Sequence, residues 1–447
     1  KSFLPNYSVF DEARYFSKGT EPNTLFWYDD IAIGINICED IWIEDGPAEE
    51  QVKQGASLII NINASPYDIH KSETRKEIVM KKALKLNVPI IYLNMVGGQD
   101  ELVFDGGSFV VNDLGEIIYQ ASSFKEEVFH LDIDLKTNKQ NDKSPLIIRP
   151  KTIELKDVES KASLSKNESI YSALKLGLKD YVRKNKFTKV LIGISGGIDS
   201  ALTAAICVDA LGAENVIGVA MPSKYNSKDS LDDAIKLSDN LGITLKTIQI
   251  EKLVDDFRET LTNSLNEDLG QITDENIQSR VRGNILMGLS NQTGAMVVST
   301  GNKSEMAVGY STLYGDLAGG FALIKDLYKT KVYELSNYIN SISDAIPKNI
   351  ITKEPSAELR PNQFDSDSLP DYEVLDKILN LYIEEDSSSE KIIASGVDPN
   401  LVFDVLEKVD RNEYKRKQVA PGVKLTQKAF GKDRRMPITN TYIRQKE

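Results

Sequence analysis

The sequence predicts an α/β protein made of two layered domains. Short apolar runs alternate with amphipathic helical stretches along most of the 447 residues, which is the pattern of sheets covered by helices. The alternation is lost over residues 138–166, which are charged and polar, and it resumes after them. We therefore expect a first domain over residues 1–140, a linker over 141–165 and a second domain over 166–447.

Composition narrows the class of protein. The net charge of −13 argues against a nucleic-acid partner, and no apolar run is long enough to span a bilayer. The cysteines, Cys38 and Cys207, are far apart in the sequence, so we expect no disulfide framework and a reducing, cytoplasmic compartment. Only two histidines are present, which limits any histidine-based site. The chain opens on Lys1 within a patterned segment, so we expect the N-terminal part of the first domain to be missing.

The first domain shows the α/β pattern in short elements. The segment 105–120 is typical of a hairpin with its turn at residues 113–115, and residues 126–135 are predicted to form a last strand. The other strands are predicted at 25–28, 31–37, 57–62 and 88–94, and helices near 47–54 and 72–86.

Cys38 directly follows the apolar strand of residues 31–37. A thiol on the turn after a buried strand is where an exposed nucleophile is usually presented. A small buried hydrophobic residue is the other interpretation, and it is the commonest state of a free cysteine.

The second domain alternates strands and helices more regularly. Such βα alternation predicts an open parallel sheet with helices on both faces, whose ligands gather at the carboxyl ends of the strands. Thr273 is the predicted N-cap of a long helix. Strands are predicted at 190–194, 215–222, 244–250 and 295–300, and helices at 169–184, 200–211, 231–241 and 273–292.

The stretch 189–200, KVLIGISGGIDS, is the clearest motif in the chain. An apolar strand ends at Ser195-Gly196-Gly197, and a helix begins near Asp199. A helix N-terminus next to a tight glycine turn is suited to phosphate, and the hydroxyls of Ser195 and Ser200 can add donors. Asp199 can hold Mg²⁺ on the phosphates. No Lys follows the second Gly, so this is not the Walker pattern. A glycine-rich turn without a ligand is the alternative.

Three predicted strand ends point at one crevice: Ser195 onward, Met221-Pro222 and Thr300-Gly301. The last of them opens a polar, glycine-rich segment, residues 299–316. Its Glu305 can join Asp199 to hold Mg²⁺, since two carboxylates on separate strand-end loops suit a hard cation. A solvated loop Glu is the alternative.

The SGGIDS turn resembles the phosphate loop of the ATP pyrophosphatases, which split ATP between its α- and β-phosphates. The segments GNKSEMAVGY, PSAELRP, LPDYEVLD and NEYKRKQ (301–310, 355–361, 369–376 and 412–418) resemble the glutamine-dependent NAD⁺ synthetase family. This resemblance covers almost the whole chain. It implies a Rossmann-like second domain of the adenine nucleotide α-hydrolase type.

Residues 1–135 resemble the later part of a nitrilase-superfamily amidase, and imply a truncated α-β-β-α sandwich. Lys1 stands before Leu4-Pro5-Asn6-Tyr7, and Cys38 lies in the segment ICEDIW. The resemblance makes Cys38 the nucleophile and Lys1 the group that stabilises the oxyanion. The family's catalytic Glu is expected upstream of Lys1, and Glu12 matches a second, supporting Glu.

The resemblance also implies binding residues. Lys71 stands where the family often has an Arg, so a carboxylate would meet a point charge. Arg280 and Arg282 could belong to a solvated face, and Ser356 lies in a loop that covers the phosphates. Glutamine binding is assigned to Tyr7, Glu39, Trp42, Ser65 and Lys71. ATP binding is assigned to Gly193, Ile194, Ser195, Gly196, Gly197, Ile198, Asp199, Ser200 and Thr300. Deamido-NAD binding is assigned to Asn276, Glu305, Tyr310, Ser311, Thr312, Leu313 and Lys415, and Mg²⁺ binding to Asp199 and Glu305.

The implied activity is a carbon–nitrogen ligase that uses ATP, Mg²⁺ and glutamine or ammonia to convert deamido-NAD⁺ to NAD⁺. The resemblance also implies a homo-oligomer formed through the synthetase domain. Another amide ligase of the same ATP-splitting group, acting on a different carboxylate, is one alternative. A non-catalytic nucleotide-binding or scaffold protein is the other.

Overall fold

The computed structural model describes residues 1–19, 21, 24–135, 160–431, 433–434, 436–439 and 441–442. The chain separates into two compact units. Unit 1 is Lys1–Gly97 with Leu102–Ser169, and unit 2 is Gly98–Glu101 with Ile170–Glu447. Residues 141–159 of the predicted linker lie outside the described part. Among the helices of the described part, none combines the length and apolarity needed to cross a membrane.

Unit 1 is built on a mixed sheet. Its elements are β1 Leu25–Tyr28, β2 Ile31–Ile37, α1 Pro47–Lys53, β3 Leu58–Asn63, α2 Lys71–Leu86, β4 Ile90–Asn94, β5 Val96–Gln99, β6 Leu102–Asp105, β7 Phe109–Val111 and β8 Ile117–Gln120. The strand order is β1-β2-β3-β4-β7-β8, and β5 pairs with β6 separately. β2, β3 and β4 are parallel, with Ile37 opposite Ile62. The carboxyl ends of these strands therefore lie at one edge of the sheet.

The core of unit 1 lies between this sheet and α2. Val79 of α2 packs with Ile90, Tyr92 and Phe109, and the rings of Tyr92 and Phe109 are stacked with centroids 4.9 Å apart. Apolar burial of this kind is the main force that holds a helix on a sheet.

The strand predicted over residues 126–135 is wrong, because no strand is assigned there. Phe129, Leu131 and Ile133 pack against a cluster that contains Tyr119. The alternating pattern therefore reflects side chains that cover the sheet without joining its hydrogen-bond ladder.

The second part of the chain forms a parallel sheet with helices. Its elements are α3 Lys166–Lys184, β9 Val190–Gly193, α4 Ile198–Leu211, β10 Val216–Ala220, α5 Lys228–Leu241, β11 Thr244–Thr247, α6 Glu251–Leu265, α7 Gln271–Thr293, β12 Met296–Ser299, α8 Lys303–Val308, β13 Phe321–Ala322, α9 Lys329–Ser343, α10 Lys348–Thr352, α11 Tyr372–Leu379, α12 Ser389–Ala394, α13 Pro399–Arg411 and α14 Glu413–Arg416. The strand order is β11-β10-β9-β12-β13, and every pair is parallel. The predicted α/β class is confirmed.

β9 is the middle strand of this sheet, and it is buried on both faces. Leu191 packs with Val219, Ile277 and Val297 in one cluster. The helices after β13 bury a separate apolar cluster around Leu375 and Val405. A middle strand with neighbours on both sides holds the turn that follows it rigidly.

Two details of unit 2 differ from the prediction. α7 begins at Gln271 with Gly270 as N-cap, so Thr273 lies inside the first turn and is not the cap. β13 was not predicted, because it has only two residues and no periodicity can show in so short a strand.

Candidate active sites

The turn between β9 and α4 in unit 2 carries the residues that the sequence predicts as a phosphate site. Gly196 has φ +80°, and a Cβ built on it would lie 2.2 Å from the backbone oxygen of Ser230, so only glycine fits there. The N-cap of α4 is Gly197, which supplies no side-chain hydrogen bond. The first backbone N–H groups of a helix have no intrahelical partner. Those of Ile198 and Asp199 therefore remain available to a phosphate.

The two serine hydroxyls of the motif hold the turn in shape. Ser195 Oγ accepts from the backbone N–H of Gly197 at 3.2 Å, and Ser200 Oγ donates to the carbonyl oxygen of Gly197 at 2.9 Å. Ser200 is buried, whereas Ser195 is exposed. Of the two predicted hydroxyl donors, Ser195 is the one that a ligand can reach. Thr300 follows β12, which pairs directly with β9.

Asp199 belongs to a partly buried polar cluster at these strand ends. Its Oδ1 accepts from Asn302 Nδ2 at 2.9 Å, and its Oδ2 lies 2.5 Å from Lys329 Nζ. The same ammonium lies 3.5 Å from Glu305. Asn302 also caps α8 by accepting from the backbone N–H of Glu305. One cation therefore joins the two carboxylates that the sequence predicts as a metal pair.

The charges in this cluster strongly influence one another. Burial, and then the neighbouring Asp199, raise the pKa of Glu305 to about 8. Burial lowers the pKa of Lys329, but Asp199 and Glu305 reverse this and leave the pKa above its ordinary value. Burial likewise raises the pKa of Asp365, which accepts from the hydroxyl of Tyr372. The cluster has more carboxylates than cations and is suited to one more positive charge.

The oxygen ligands of Asp199 and Glu305 fit a hard divalent cation such as Mg²⁺. In the described residues no three His, Cys, Asp or Glu side chains converge as a metal site. A cation bound to these two carboxylates would take its other ligands from water and from phosphate oxygens.

The residues predicted to bind deamido-NAD converge on the loop after α8. Thr312 Oγ1 donates to Asn276 Oδ1 at 2.7 Å. Lys415 Nζ donates to the carbonyl oxygens of Gly309 and Ser311 at 2.7 and 2.8 Å. Tyr310 N donates to the carbonyl oxygen of Glu305. Burial, and then the carboxylates of Asp365 and Glu305, raise the pKa of Tyr310, so the start of the loop lies beside the carboxylate cluster.

The two α7 arginines for which a solvated face was the alternative both make hydrogen bonds within the fold. Arg280 Nε donates to the carbonyl oxygen of Leu313 at 3.2 Å, and Arg282 Nε donates to that of Met221 at 3.1 Å.

Ser356 Oγ donates to the carbonyl oxygen of Gln363 and shapes the loop that carries Glu358. The Glu358 carboxylate accepts from Ser227 and Ser230.

Cys38 lies in unit 1, directly after β2, with a left-handed backbone at φ +53° and 7% exposure. A non-glycine residue in this conformation is strained, and such strain is concentrated at functional turns. Burial raises the pKa of the thiol, and Lys1 opposes this increase. The Lys1 ammonium is therefore close enough to favour the thiolate.

Lys1 is held by Glu12, whose carboxylate oxygens lie 2.5 and 2.6 Å from Lys1 Nζ. Both side chains are largely buried. This contact fits Glu12 as a supporting residue for the lysine, and leaves the lysine oriented by a fixed partner.

The predicted glutamine contacts form two pairs and one buried anchor. The Tyr7 hydroxyl donates to the Glu39 carboxylate at 2.6 Å. Lys71 Nζ lies 4.3 Å from the centre of the Trp42 ring, and burial lowers the pKa of this lysine. Ser65 Oγ accepts from Arg75 Nε at 3.0 Å. Glu39 and Cys38 both act on the pKa of Lys71, so Lys71 belongs to the same site.

The sequence did not identify Asn302, Lys329, Asp365 or Arg75. Lys329 carried a signal, because it is the first residue of α9, where the helix dipole disfavours a cation; a lysine placed there needs an anionic partner. Arg75 binds both oxygens of Asp105. Its charge is used within the fold and is not free for a substrate.

Comparison with known proteins identifies both units. The NAD synthase family model matches residues 170–419, and the carbon-nitrogen hydrolase family model matches residues 2–141. The glutamine-dependent NAD(+) synthetase of Thermotoga maritima is 49% identical over 99% of this chain and 80% of its own length. That of Aquifex aeolicus is 47% identical over 99% of this chain and 81% of its own length.

A solved structure matches the chain as a whole. The glutamine-dependent NAD+ synthetase of Acinetobacter baumannii, in complex with adenosine diphosphate, has a TM-score of 0.72 and 44% identity. The match covers 98% of this chain and 78% of that one.

Proposed function

The chain belongs to the family of glutamine-dependent NAD(+) synthetases, which are ATP-dependent amide ligases, and we propose how its residues carry out that reaction. The observation that carries the proposal is the cluster of Asp199, Glu305 and the buried Lys329 beside the open amides of the β9–α4 turn. Residues 1–140 act as the glutaminase, 141–165 as the linker and 166–447 as the synthetase.

ATP binds with its phosphates on the turn from Ser195 to Ser200. The free N–H groups at the start of α4 and the positive end of its dipole neutralise the phosphate charge. Gly193, Ile194 and Thr300 line the same strand ends. Lys329 stays protonated, because its carboxylate partners hold its pKa above the ordinary value.

Mg²⁺ is the cation that Asp199 and Glu305 would hold, and when bound it supplies neutralisation of phosphate charge. Lys329 lies between the same two carboxylates and keeps them from repelling each other. Glu305 is oriented by Asn302, which accepts from its backbone N–H at 3.0 Å.

Deamido-NAD⁺ binds along the loop of residues 310–313, which Asn276 and Lys415 hold by hydrogen bonds. Lys415 has three donors and uses two of them on loop carbonyls, so one remains for a phosphate of the substrate. The carboxylates of Asp365 and Glu305 act on the pKa of Tyr310 at the start of this loop, so the proposal places the nicotinate carboxylate beside the ATP phosphates.

The amide forms in two steps. A carboxylate oxygen of the nicotinate group attacks the α-phosphorus of ATP, the bond from that phosphorus to the bridging oxygen breaks, and pyrophosphate leaves. Ammonia then attacks the acyl carbon of the resulting adenylate, and AMP leaves with the oxygen that came from the carboxylate. The protein contributes mainly positioning and fixed charge.

The glutaminase releases that ammonia. The Cys38 thiolate attacks the amide carbon of glutamine, and the Lys1 ammonium stabilises the oxyanion that forms. The bond from that carbon to the amide nitrogen then breaks, and the nitrogen leaves as ammonia with the proton that the thiol gave up, which the family's catalytic Glu takes and returns. Lys71 binds the glutamine carboxylate as a point charge, while Tyr7, Glu39, Trp42 and Ser65 complete the pocket. Water then releases glutamate from the thioester.

Self-association through the synthetase unit is supported by exposed apolar side chains on α6 and α7. Leu253 and Phe257 lie one helical turn apart and are 44% and 47% exposed, and Ile272 is 74% exposed. Light scattering would measure the mass of the assembly.

The free cysteines, Cys38 and Cys207, lie in separate units and fit a reducing, cytoplasmic location.

The test measures NAD⁺ and AMP formed from ATP, Mg²⁺ and deamido-NAD⁺ with glutamine or ammonia as nitrogen source. In the full-length protein we expect Cys38→Ala to lose the glutamine reaction and keep the ammonia reaction, and Asp199→Ala to lose both. Cys207→Ala is the matched control and keeps both. Retained glutamine use in Cys38→Ala would remove this thiol from the mechanism. AMP formation driven by xanthosine monophosphate or aspartate would indicate a different amide ligase.

A further inference from the structure

Asp40 lies two residues after Cys38 and contacts no group that the reaction uses directly. It is 1% exposed. Its Oδ1 accepts from the backbone N–H groups of Ser2 and Phe3 at 2.9 and 2.8 Å. Its Oδ2 accepts from the backbone N–H of Ile37 at 3.2 Å. One carboxylate therefore joins the two residues after Lys1 to the residue before Cys38.

The two joined segments need such a link. Cys38 has a left-handed backbone, which persists only where its surroundings hold it. Asn61 Nδ2 holds the turn from the other side by donating to the carbonyl oxygen of Cys38 at 3.1 Å. Lys1 comes from a segment without regular secondary structure, and its carbonyl oxygen accepts from Gly19 N at 2.9 Å.

Direct contact with a substrate is a poor fit for Asp40. Its side chain is almost fully buried, and three backbone donors already occupy its two oxygens. Glu39, the residue before it, is the one that contacts Tyr7. The two adjacent acids therefore differ in what they bind.

We infer that Asp40 is a positioning residue of the glutaminase site: its carboxylate fixes the segment that carries Lys1 against the turn that carries Cys38. The inference rests on the proposed roles of Lys1 and Cys38. It predicts that removing Asp40 weakens the interaction between the lysine and the thiol while leaving both in the chain.

The pH dependence of Cys38 alkylation measures that interaction. The groups that influence or are influenced by this thiol are Lys1, Tyr7, Glu12, Glu39, Lys71 and Tyr92. Burial raises the thiol pKa, and Lys1 is the cation that lowers it most. A nearby opposite charge changes a pKa by about 1 to 3 units. Loss of the Lys1 charge, or of its position, therefore moves the alkylation midpoint to higher pH.

The experiment treats the 447-residue protein with iodoacetamide across a pH series and follows Cys38 by peptide mass spectrometry. Cys207 is fully buried and serves as an internal control that stays unmodified in folded protein. The variants are Lys1→Met, Asp40→Ala, Asp40→Asn and the double variant Lys1→Met/Asp40→Ala. Tryptophan fluorescence checks that unit 1 is folded, since Trp27 and Trp42 both lie in it.

We expect Asp40→Ala to raise the midpoint by about 0.5 to 1 pH unit, a fraction of the effect of a full charge. Asp40→Asn keeps an oxygen acceptor and similar volume, so we expect a smaller rise. The double variant should match Lys1→Met alone, because Asp40 acts through Lys1.

Three results would overturn the inference while leaving the role of Lys1 intact. The first is an alkylation midpoint that is unchanged in folded Asp40→Ala. The second is a midpoint that falls in this variant, as expected if only a negative charge had been lost. The third is a double variant whose shift is the sum of the shifts of the two single variants. An unchanged midpoint in Lys1→Met would instead count against the proposed function itself. If Asp40→Ala unfolds unit 1, the Asp40→Asn variant is used to test the inference. A raised alkylation midpoint in Asp40→Asn supports the inference, and an unchanged midpoint overturns it.

Discussion

Replacing Gly196 with alanine tests the phosphate turn most sharply, because the chain offers a matched control. Gly196 and Gly294 both have left-handed backbones, at φ +80° and +69°. A Cβ on Gly196 would lie 2.2 Å from the Ser230 oxygen, whereas a Cβ on Gly294 meets nothing within 4 Å. Both substitutions carry the same backbone strain, and only one collides with a neighbour.

The magnitudes follow from this difference. An alanine in the left-handed region costs about 1 to 2 kcal/mol, so both variants should lose that much stability. Ordinary contacts begin at 3.4 Å, so in Gly196→Ala the turn or α5 must move by roughly 1 Å. A misplacement of that size can reduce a rate about 100-fold. We expect kcat/KM for ATP to fall by that order in Gly196→Ala and to stay unchanged in Gly294→Ala.

The assay is ammonia-dependent NAD⁺ formation at saturating deamido-NAD⁺, with chemical unfolding measured on the same preparations. Circular dichroism follows the helices of unit 2, and tryptophan fluorescence follows unit 1, since Trp27 and Trp42 lie there. Equal losses of activity in the two variants would mean that strain alone is responsible. A fully active Gly196→Ala would show that the turn does not hold the phosphates.

Two further predictions concern single lysines. Lys303 is fully buried and lies 2.7 Å from the buried Asp326, so Lys303→Met should cost about 3 to 5 kcal/mol by leaving that carboxylate unpaired. Lys53→Met, which removes a solvent-exposed pair with Glu50, should reduce the stability far less, because solvent screens such a pair, and equal losses on urea unfolding would contradict this. Lys71→Met should raise the KM for glutamine about 10- to 100-fold by removing a charged contact, whereas the exposed Lys81→Met should not. Unchanged glutamine kinetics in Lys71→Met would exclude Lys71 from the pocket.

Local sequence predicted the fold and the conformation of the β9–α4 turn well. The turn at Ser195–Ser200 is contiguous, so strand, glycines and helix start could be recognised together. The α/β class followed from the same kind of short-range pattern. Residues 126–135 show its limit, because alternation predicts which side chains are covered and cannot show whether a strand forms its hydrogen bonds.

The sequence could not predict contacts between residues that are far apart in the chain. Lys329 is 130 residues from Asp199, and Asp40 is 38 residues from Ser2. No period or spacing connects such pairs, because folding alone brings them together. The unfavourable place of Lys329 at a helix start was the one local sign, and Asp40 gave none.

The oxygen transferred during the reaction tests the account most directly. Deamido-NAD⁺ carrying ¹⁸O in its nicotinate carboxylate is incubated with ATP, Mg²⁺ and ammonia, and the products are analysed by mass spectrometry. Attack on the α-phosphorus predicts that AMP carries one ¹⁸O atom and that pyrophosphate carries none. Label in pyrophosphate or in inorganic phosphate, or ADP as the nucleotide product, would contradict the proposed adenylation at the β9–α4 turn.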